Sequence, residues 1–157
     1  MKRLRIYIDT SVIGGCCDAE FARWSNALLA DFVAGRYRAV ISEIVQAEIE
    51  DAPDAVLKKY VALMSTGPEV LGMTPRAAEL AQMYITHKIL SGNFTDDARH
   101  IALATVAGVD VLVSWIFKHI VHFDKIRMFN AVNMRHGYRA ISIYSPREVA
   151  HDERQSR

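Results

Sequence analysis

Three carboxylates in this chain occupy positions that suit chemistry. Asp9 directly follows the run Ile-Tyr-Ile, at the tip of what reads as a central strand. Ligand sites gather at strand ends in α/β sheets, although an aspartate there can also cap the turn that follows. Glu48 falls on a helix face with Ile41, Ile44, Val45 and Ala52, whereas Glu43, Gln46 and Glu50 point elsewhere. A carboxylate on an apolar face costs free energy unless something compensates it. A metal ion would do so, and so would a place at the edge of the face with an arginine partner or water. Asp96 and Asp97 lie in the first turn of another helix, where acids suit the helix dipole in any case. Asp97 shares a face with Ile101 and Ala104 and leans toward the protein, so Asp96 should be the more solvated of the two.

Gathered together, three carboxylates repel one another and raise their own pKa values. A hard divalent cation such as magnesium reverses this, because it takes oxygen ligands. Such an ion can polarise a phosphodiester, activate water or steady the leaving oxygen. Three acids without a dedicated nucleophile therefore point to phosphodiester hydrolysis. Other constellations are weaker. No GxGxxG follows the first strand, and no GxxxxGK[ST] occurs. Haloacid-dehalogenase-type phosphatases need a second aspartate two residues after the first, where this chain has Ser11. His119, His122 and Asp124 suggest zinc, but HxxH here has no good third ligand. Ser11 and Ser114 lack a GxSxG context.

The elements that must position these residues follow from periodicity and punctuation. Short apolar runs predict strands over 4–8, 37–41, 70–73, 109–113 and 140–144. Helical spacing predicts helices over 20–34, 43–50, 54–64, 75–90, 96–107 and 124–135. Val56, Leu57, Tyr60, Val61 and Met64 form the expected buried side of the third. Ser42, Thr74 and Thr95 are the expected caps, and Ser91-Gly92-Asn93 a turn. Strands separated by helices indicate an α/β fold with a mostly parallel sheet covered on both faces. No linker divides the chain, so residues 1–149 read as a single domain and 150–157 as a polar, frayed C-terminal tail.

Composition sets the outer limits. The chain has 157 residues, 51% of them hydrophobic, which suits one domain with a real core. A net charge of +1 gives no broad electrostatic footprint for nucleic acid, though a local basic rim would still serve an RNA enzyme. No apolar run reaches the roughly 20 residues of a membrane span, so no membrane partner is expected. The basic start and apolar run at the N-terminus are interrupted by Asp9, so they read as a strand and not as a signal peptide. The two cysteines, Cys16 and Cys17, are adjacent, which suggests no disulfide framework and a reducing cytoplasm.

The chain resembles the PIN-domain family, and within it the VapC-like toxins of toxin–antitoxin pairs. The matching stretches are IYIDTSVIGG (6–15), ISEIVQAEIE (41–50), DDARHIALATVAGVDVLVSW (96–115) and FKHI (117–120). Their order and spacing cover nearly the whole chain, to about residue 149. The resemblance implies a PIN-like three-layer α/β/α sandwich and a magnesium- or manganese-dependent ribonuclease acting on RNA. It implies a homodimer silenced by an antitoxin protein. Carried over residue by residue, it makes Asp9, Glu48 and Asp97 the catalytic and metal-binding acids, Asp97 being chosen over Asp96 because alanine follows it. Ser11 becomes a supporting hydroxyl, with Ser114 or Asn130 as possible helpers nearby. Lys118 and His119 are candidate phosphate contacts, against the alternative of a solvated turn. The sequence departs from the pattern at Ile116, where relatives carry Asn or Asp. Isoleucine neither coordinates a metal nor binds its water, so the alternative reading is a weakened or non-catalytic module that binds RNA or protein.

Overall fold

Five short strands carry side chains alternately into two hydrophobic cores. They are β1 (Arg5–Ile8), β2 (Arg38–Ser42), β3 (Glu69–Leu71), β4 (Val111–Val113) and β5 (Ser142–Tyr144). The computed structural model describes residues 2–152 and pairs these strands, all parallel, in the order β3-β2-β1-β4-β5. Tyr7, Val40, Leu112 and Ile143 enter one core. Ile6, Ile8, Ala39, Ile41 and Val113 enter the other. The two-residue period of a strand makes this division automatic once both faces are covered.

Helices α1 (Thr10–Gly15), α2 (Ala22–Val33), α3 (Glu43–Ile49) and α4 (Asp54–Met64) cover the second face. Helices α5 (Pro75–Thr86), α6 (Thr95–Val106) and α7 (Phe123–Arg135) cover the first. A last short helix, α8 (Pro146–Val149), opens with a capping box between Ser145 and Glu148. This is the expected α/β/α sandwich, with a sheet that is wholly parallel.

Several local expectations are corrected. Helix α1 was not anticipated, because Thr, Val, Ile and two glycines are poor helix formers. It forms because folding back onto the sheet buries Val12 and Ile13. Helix α5 stops at Thr86, not near residue 90. Lys88 turns left-handed at φ 59°, and Ile89 and Leu90 then enter the core as a loop. Thr95 does not cap α6; its hydroxyl donates to Gly92 O at 2.8 Å, closing a 3-10 turn over Gly92–Phe94. On α4 the buried face includes Leu63, while Val61 is exposed. Ser42 and Thr74 do cap α3 and α5 as expected.

The segment after α8 is held down through Asp152. Tyr37 donates to Val149 O at 2.9 Å, His151 N donates to the buried Asp31 at 2.9 Å, and Arg23 pairs with Asp152 at 2.5 Å. The expected fraying therefore does not apply to 150–152; residues 153–157 of that tail lie outside the described residues.

Candidate active site

Strand order reverses at β1, with β2 and β3 on one side and β4 and β5 on the other. A parallel sheet opens a crevice at such a point, beyond the carboxyl ends of its strands. Asp9 follows β1 and Ser114 follows β4, so both walls of the crevice contribute a polar group.

Asp9 precedes α1 as its N-cap residue, yet its side chain makes no cap hydrogen bond. It is 1% exposed. Ser11 donates to Oδ1 at 2.5 Å and Ser114 to Oδ2 at 2.6 Å. Each hydroxyl is fixed in turn by a backbone N–H, Trp115 N to Ser11 Oγ and Ile116 N to Ser114 Oγ, both at 3.0 Å. Two amides of the loop after β4 thus orient the two serines that orient Asp9. Burial pushes the Asp9 pKa up. The nearby His100 and the two serine hydroxyls pull it back, and the charge of Asp97 adds to the rise.

Asp97 lies in the first turn of α6, half-buried, while Asp96 is exposed and pairs with Arg99 at 3.3 Å. That is the division expected from the helix face. Burial raises the Asp97 pKa, against the opposing pull of His119 and His100, and Glu48 adds repulsion. His119 Nδ1 stands 3.2 Å from Asp97 Oδ2, with its ring against Phe94 at 3.7 Å. Lys118 beside it is exposed.

Glu48 does not sit within the buried face of α3, which Val45 and Ile49 occupy. It lies at the edge, its side chain 36% exposed, and its partner is a histidine and not an arginine. Oε1 stands 2.7 Å from His100 Nε2 and receives Thr10 Oγ1 at 3.1 Å. Burial works to raise the Glu48 pKa, but the hydrogen bond and charge of His100, with Thr10, outweigh it and hold the carboxyl below its ordinary range. The outer side opens on a groove of about 420 Å³ lined by Glu43, Ile44, Ala47, Glu48, Asp96 and Arg99.

His100 is the residue that the sequence analysis missed. It is 2% exposed and central, with Tyr7 OH 2.6 Å from Nδ1. Burial lowers its pKa, yet the bond to Glu48 and the charges of Asp9, Glu48 and Asp97 outweigh this and raise it. The available signal was its spacing three residues after Asp97, on the same inward face of α6.

Other candidates fall away from the crevice. The Ile116 side chain packs against the α5–α7 core, leaving only its backbone N–H at the site. Asn130 bonds the backbone of Ile141 at 2.7 and 3.0 Å and braces the approach to β5, so it does not help the acids. His122 caps α7 and does not pair with His119 on a helix face. Among the described residues no three His, Cys, Asp or Glu side chains stand ready as a metal-ligand set. The carboxylates nonetheless carry like-charge repulsion in a largely buried crevice, with Asp97 acting on Asp9 and Glu48 on Asp97. A hard divalent cation would relieve that repulsion, and magnesium, which keeps several of its waters, needs few direct carboxylate ligands.

The five-stranded parallel sheet covered by helices on both faces is a PIN-like α/β/α fold. No protein-family model and no curated protein sequence matches the chain. Its structure matches that of VapBC2 from Rickettsia felis, solved bound to a DNA fragment from its promoter, with a TM-score of 0.56 at 13% identity over 90% of this chain and 98% of that one. It also matches VapC20 from Mycobacterium tuberculosis, a toxin that cleaves the sarcin-ricin loop, with a TM-score of 0.51 at 17% identity over 87% of this chain and 98% of that one. At these identities the likeness is one of fold.

Proposed function

We propose that this chain is a ribonuclease that hydrolyses RNA phosphodiesters, the toxin of a toxin–antitoxin pair, working in the cytoplasm with magnesium or manganese. The observation that carries the proposal is the buried Asp9 at the switch-point crevice, clamped by Ser11 and Ser114 and within electrostatic reach of the half-buried Asp97. The fold shared with VapC20, a sarcin-ricin-loop-cleaving toxin, and with VapBC2 supports it. The reading includes the homodimer and the silencing antitoxin that the sequence resemblance implies. Among the described residues no helix is long and apolar enough to cross a membrane.

Asp9, Glu48 and Asp97 would hold the divalent cation, directly or through its waters. When bound, the cation polarises the phosphodiester and steadies charge on the leaving oxygen. The protein's own groups do the positioning. Ser11 and Ser114 fix the Asp9 carboxylate through the amides of Trp115 and Ile116, so its direction is set before substrate arrives. Asp97 Oδ2 stands 3.2 Å from His119 Nδ1, and Lys118 lies exposed beside it, the two candidate contacts for the phosphate. The test is cleavage of RNA with magnesium or manganese by wild type and Asp9→Asn. Loss of cleavage in the variant is expected; equal cleavage by both proteins would refute the assignment.

A second reading, a PIN-fold module that binds RNA or protein without cutting, is favoured by Ile116, whose side chain is committed to the core. Ile116→Asn discriminates between the two. Activity that appears only in this variant supports the second reading, and ordinary activity in wild type removes it.

A further inference from the structure

The loop after β4 leaves a large aromatic side chain in solvent beside the crevice. Phe117 is 49% exposed, although its ring packs on two others. It meets Trp115 at 6.0 Å and 69°, and Phe21 at 6.4 Å and 53°. Those two rings stack on each other at 4.3 Å and 24°. Both therefore meet Phe117 at a steep angle, and neither lies flat on it. The ring is braced from the protein side and keeps an outer surface for a flat partner.

The backbone beneath Phe117 is fixed as well. Ile120 N and Val121 N both donate to Ile116 O, at 3.0 and 2.9 Å, and close residues 116–121 into a turn. Ile116 packs against the α5–α7 core and Ile120 is fully buried, so both ends of the turn are anchored. Phe117 and Lys118 project from it into solvent, and His119 stands 3.2 Å from Asp97. At its start, Trp115 N and Ile116 N hold the serines that clamp Asp9. One short segment thus carries an exposed ring, a cation and the amides that orient an acid.

A nucleotide suits that combination, because it offers a flat base and a phosphate a few bonds apart. Bases stack on aromatic side chains, and phosphates take lysine. The core of a protein interface, by contrast, is depleted in lysine. We propose that Phe117 is the platform on which a base of the RNA substrate stacks while the adjoining phosphate lies in the crevice. This rests on the ribonuclease reading above and adds a base-binding residue to it. Every base has a π-face, so the platform grips the strand without choosing a sequence. The base must be free of a pairing partner to reach it.

A fluorescein-labelled, single-stranded RNA oligonucleotide titrated with the full chain tests this by anisotropy, with Ca2+ in place of Mg2+ to slow cleavage. Phe117→Ala weakens binding by about tenfold or more, and Phe117→Tyr binds as wild type does. Phe117→Leu keeps an apolar contact with Phe21 and Trp115, so it folds, but it binds as weakly as Phe117→Ala. The slope of log affinity against log salt stays the same in Phe117→Ala, because stacking releases no counterions. A slope lowered by about one means that a displaced turn has lost a phosphate contact, which overturns the platform. Equal affinity in wild type and Phe117→Leu also overturns it, while leaving the ribonuclease reading standing. So does a Phe117→Ala chain that keeps its RNA affinity and sediments at a different mass, since the ring then serves a protein interface. No RNA binding by wild type removes the ribonuclease reading and this inference together.

Discussion

Two adjacent glycines should respond to the same substitution with opposite signs. Gly14 and Gly15 are both helical residues of α1. A Cβ on Gly14 would meet nothing within 4 Å, whereas a Cβ on Gly15 would lie 2.6 Å from Ser25 Oγ, 2.7 Å from Trp115 Nε1 and 2.9 Å from Trp115 Cδ1. Neither neighbour can yield. Trp115 is stacked on Phe21 at 4.3 Å, and its indole N–H donates to the buried Ser25 at 2.8 Å. Gly15→Ala therefore overpacks the core, at about 1–3 kcal/mol, and strains or breaks a buried hydrogen bond worth about 1 kcal/mol. The combined loss is about 2–4 kcal/mol, a fall in midpoint temperature of about 5–15 °C for a chain of this size. Gly14→Ala instead removes backbone freedom from the unfolded chain and gains about 0.5–1 kcal/mol. Thermal unfolding followed by circular dichroism reads both. The site responds too, since the Trp115 amide holds Ser11 and Ser11 holds Asp9; Gly15→Ala should lose more RNA cleavage than Gly14→Ala at a temperature where both are folded. A Gly15→Ala midpoint within about 2 °C of wild type, or an equal fall for Gly14→Ala, would refute the packing argument.

Burial raises the Asp9 pKa in the folded state, so its contribution to stability is full below the unfolded value near 4 and is lost as pH rises through the folded value. Asp9→Asn should accordingly unfold at a higher temperature than wild type near about pH 7 in the presence of chelator, with the gap closing near about pH 3. A gap that widens on acidification would contradict the sign. Cys17 is exposed, while Cys16 is buried with its thiol pushed up to about 11. Ellman's reagent should titrate Cys17 rapidly in the native protein and Cys16 only on denaturation, and rapid labelling of both counts against the core around α1. Ending the chain at Ala150 removes the His151 N–H from the fully buried Asp31, leaving that carboxylate to Arg36. The cost should be about 1–3 kcal/mol in urea unfolding and should largely vanish in an Asp31→Ala background. Additive losses would mean that the two groups act independently.

The layers of the fold were legible because periodicity is a local signal. Arg38–Ser42 with its Ser42 cap, and Pro75–Thr86 behind Thr74, are announced by residues next to one another in the chain. Helix α1 was not, since its existence depends on Val12 and Ile13 meeting a sheet built from strands up to a hundred residues away. Similarly, the early end of α5 reflects the tertiary gain of burying Ile89 and Leu90, which no local stop residue records. Among the acids, Asp96 and Asp97 divided as the helix face foretold, one exposed and one leaning inward.

From the sequence by itself came an α/β chain, the strand that ends in Asp9 and the carboxylates able to work together. Each depends on neighbours one to four residues apart, where backbone geometry alone sets direction. Only the tertiary structure decided how the acids are shared out. Ser114 reaches Asp9 across 105 residues and His100 reaches Glu48 across 52, so the clamp on one acid and the tether on another come from separate crossovers. Those meetings follow from strand order, which places β1 beside β4 and turns α3 toward α6. A pattern of period two or three and a half carries no information about which distant strand becomes the neighbour.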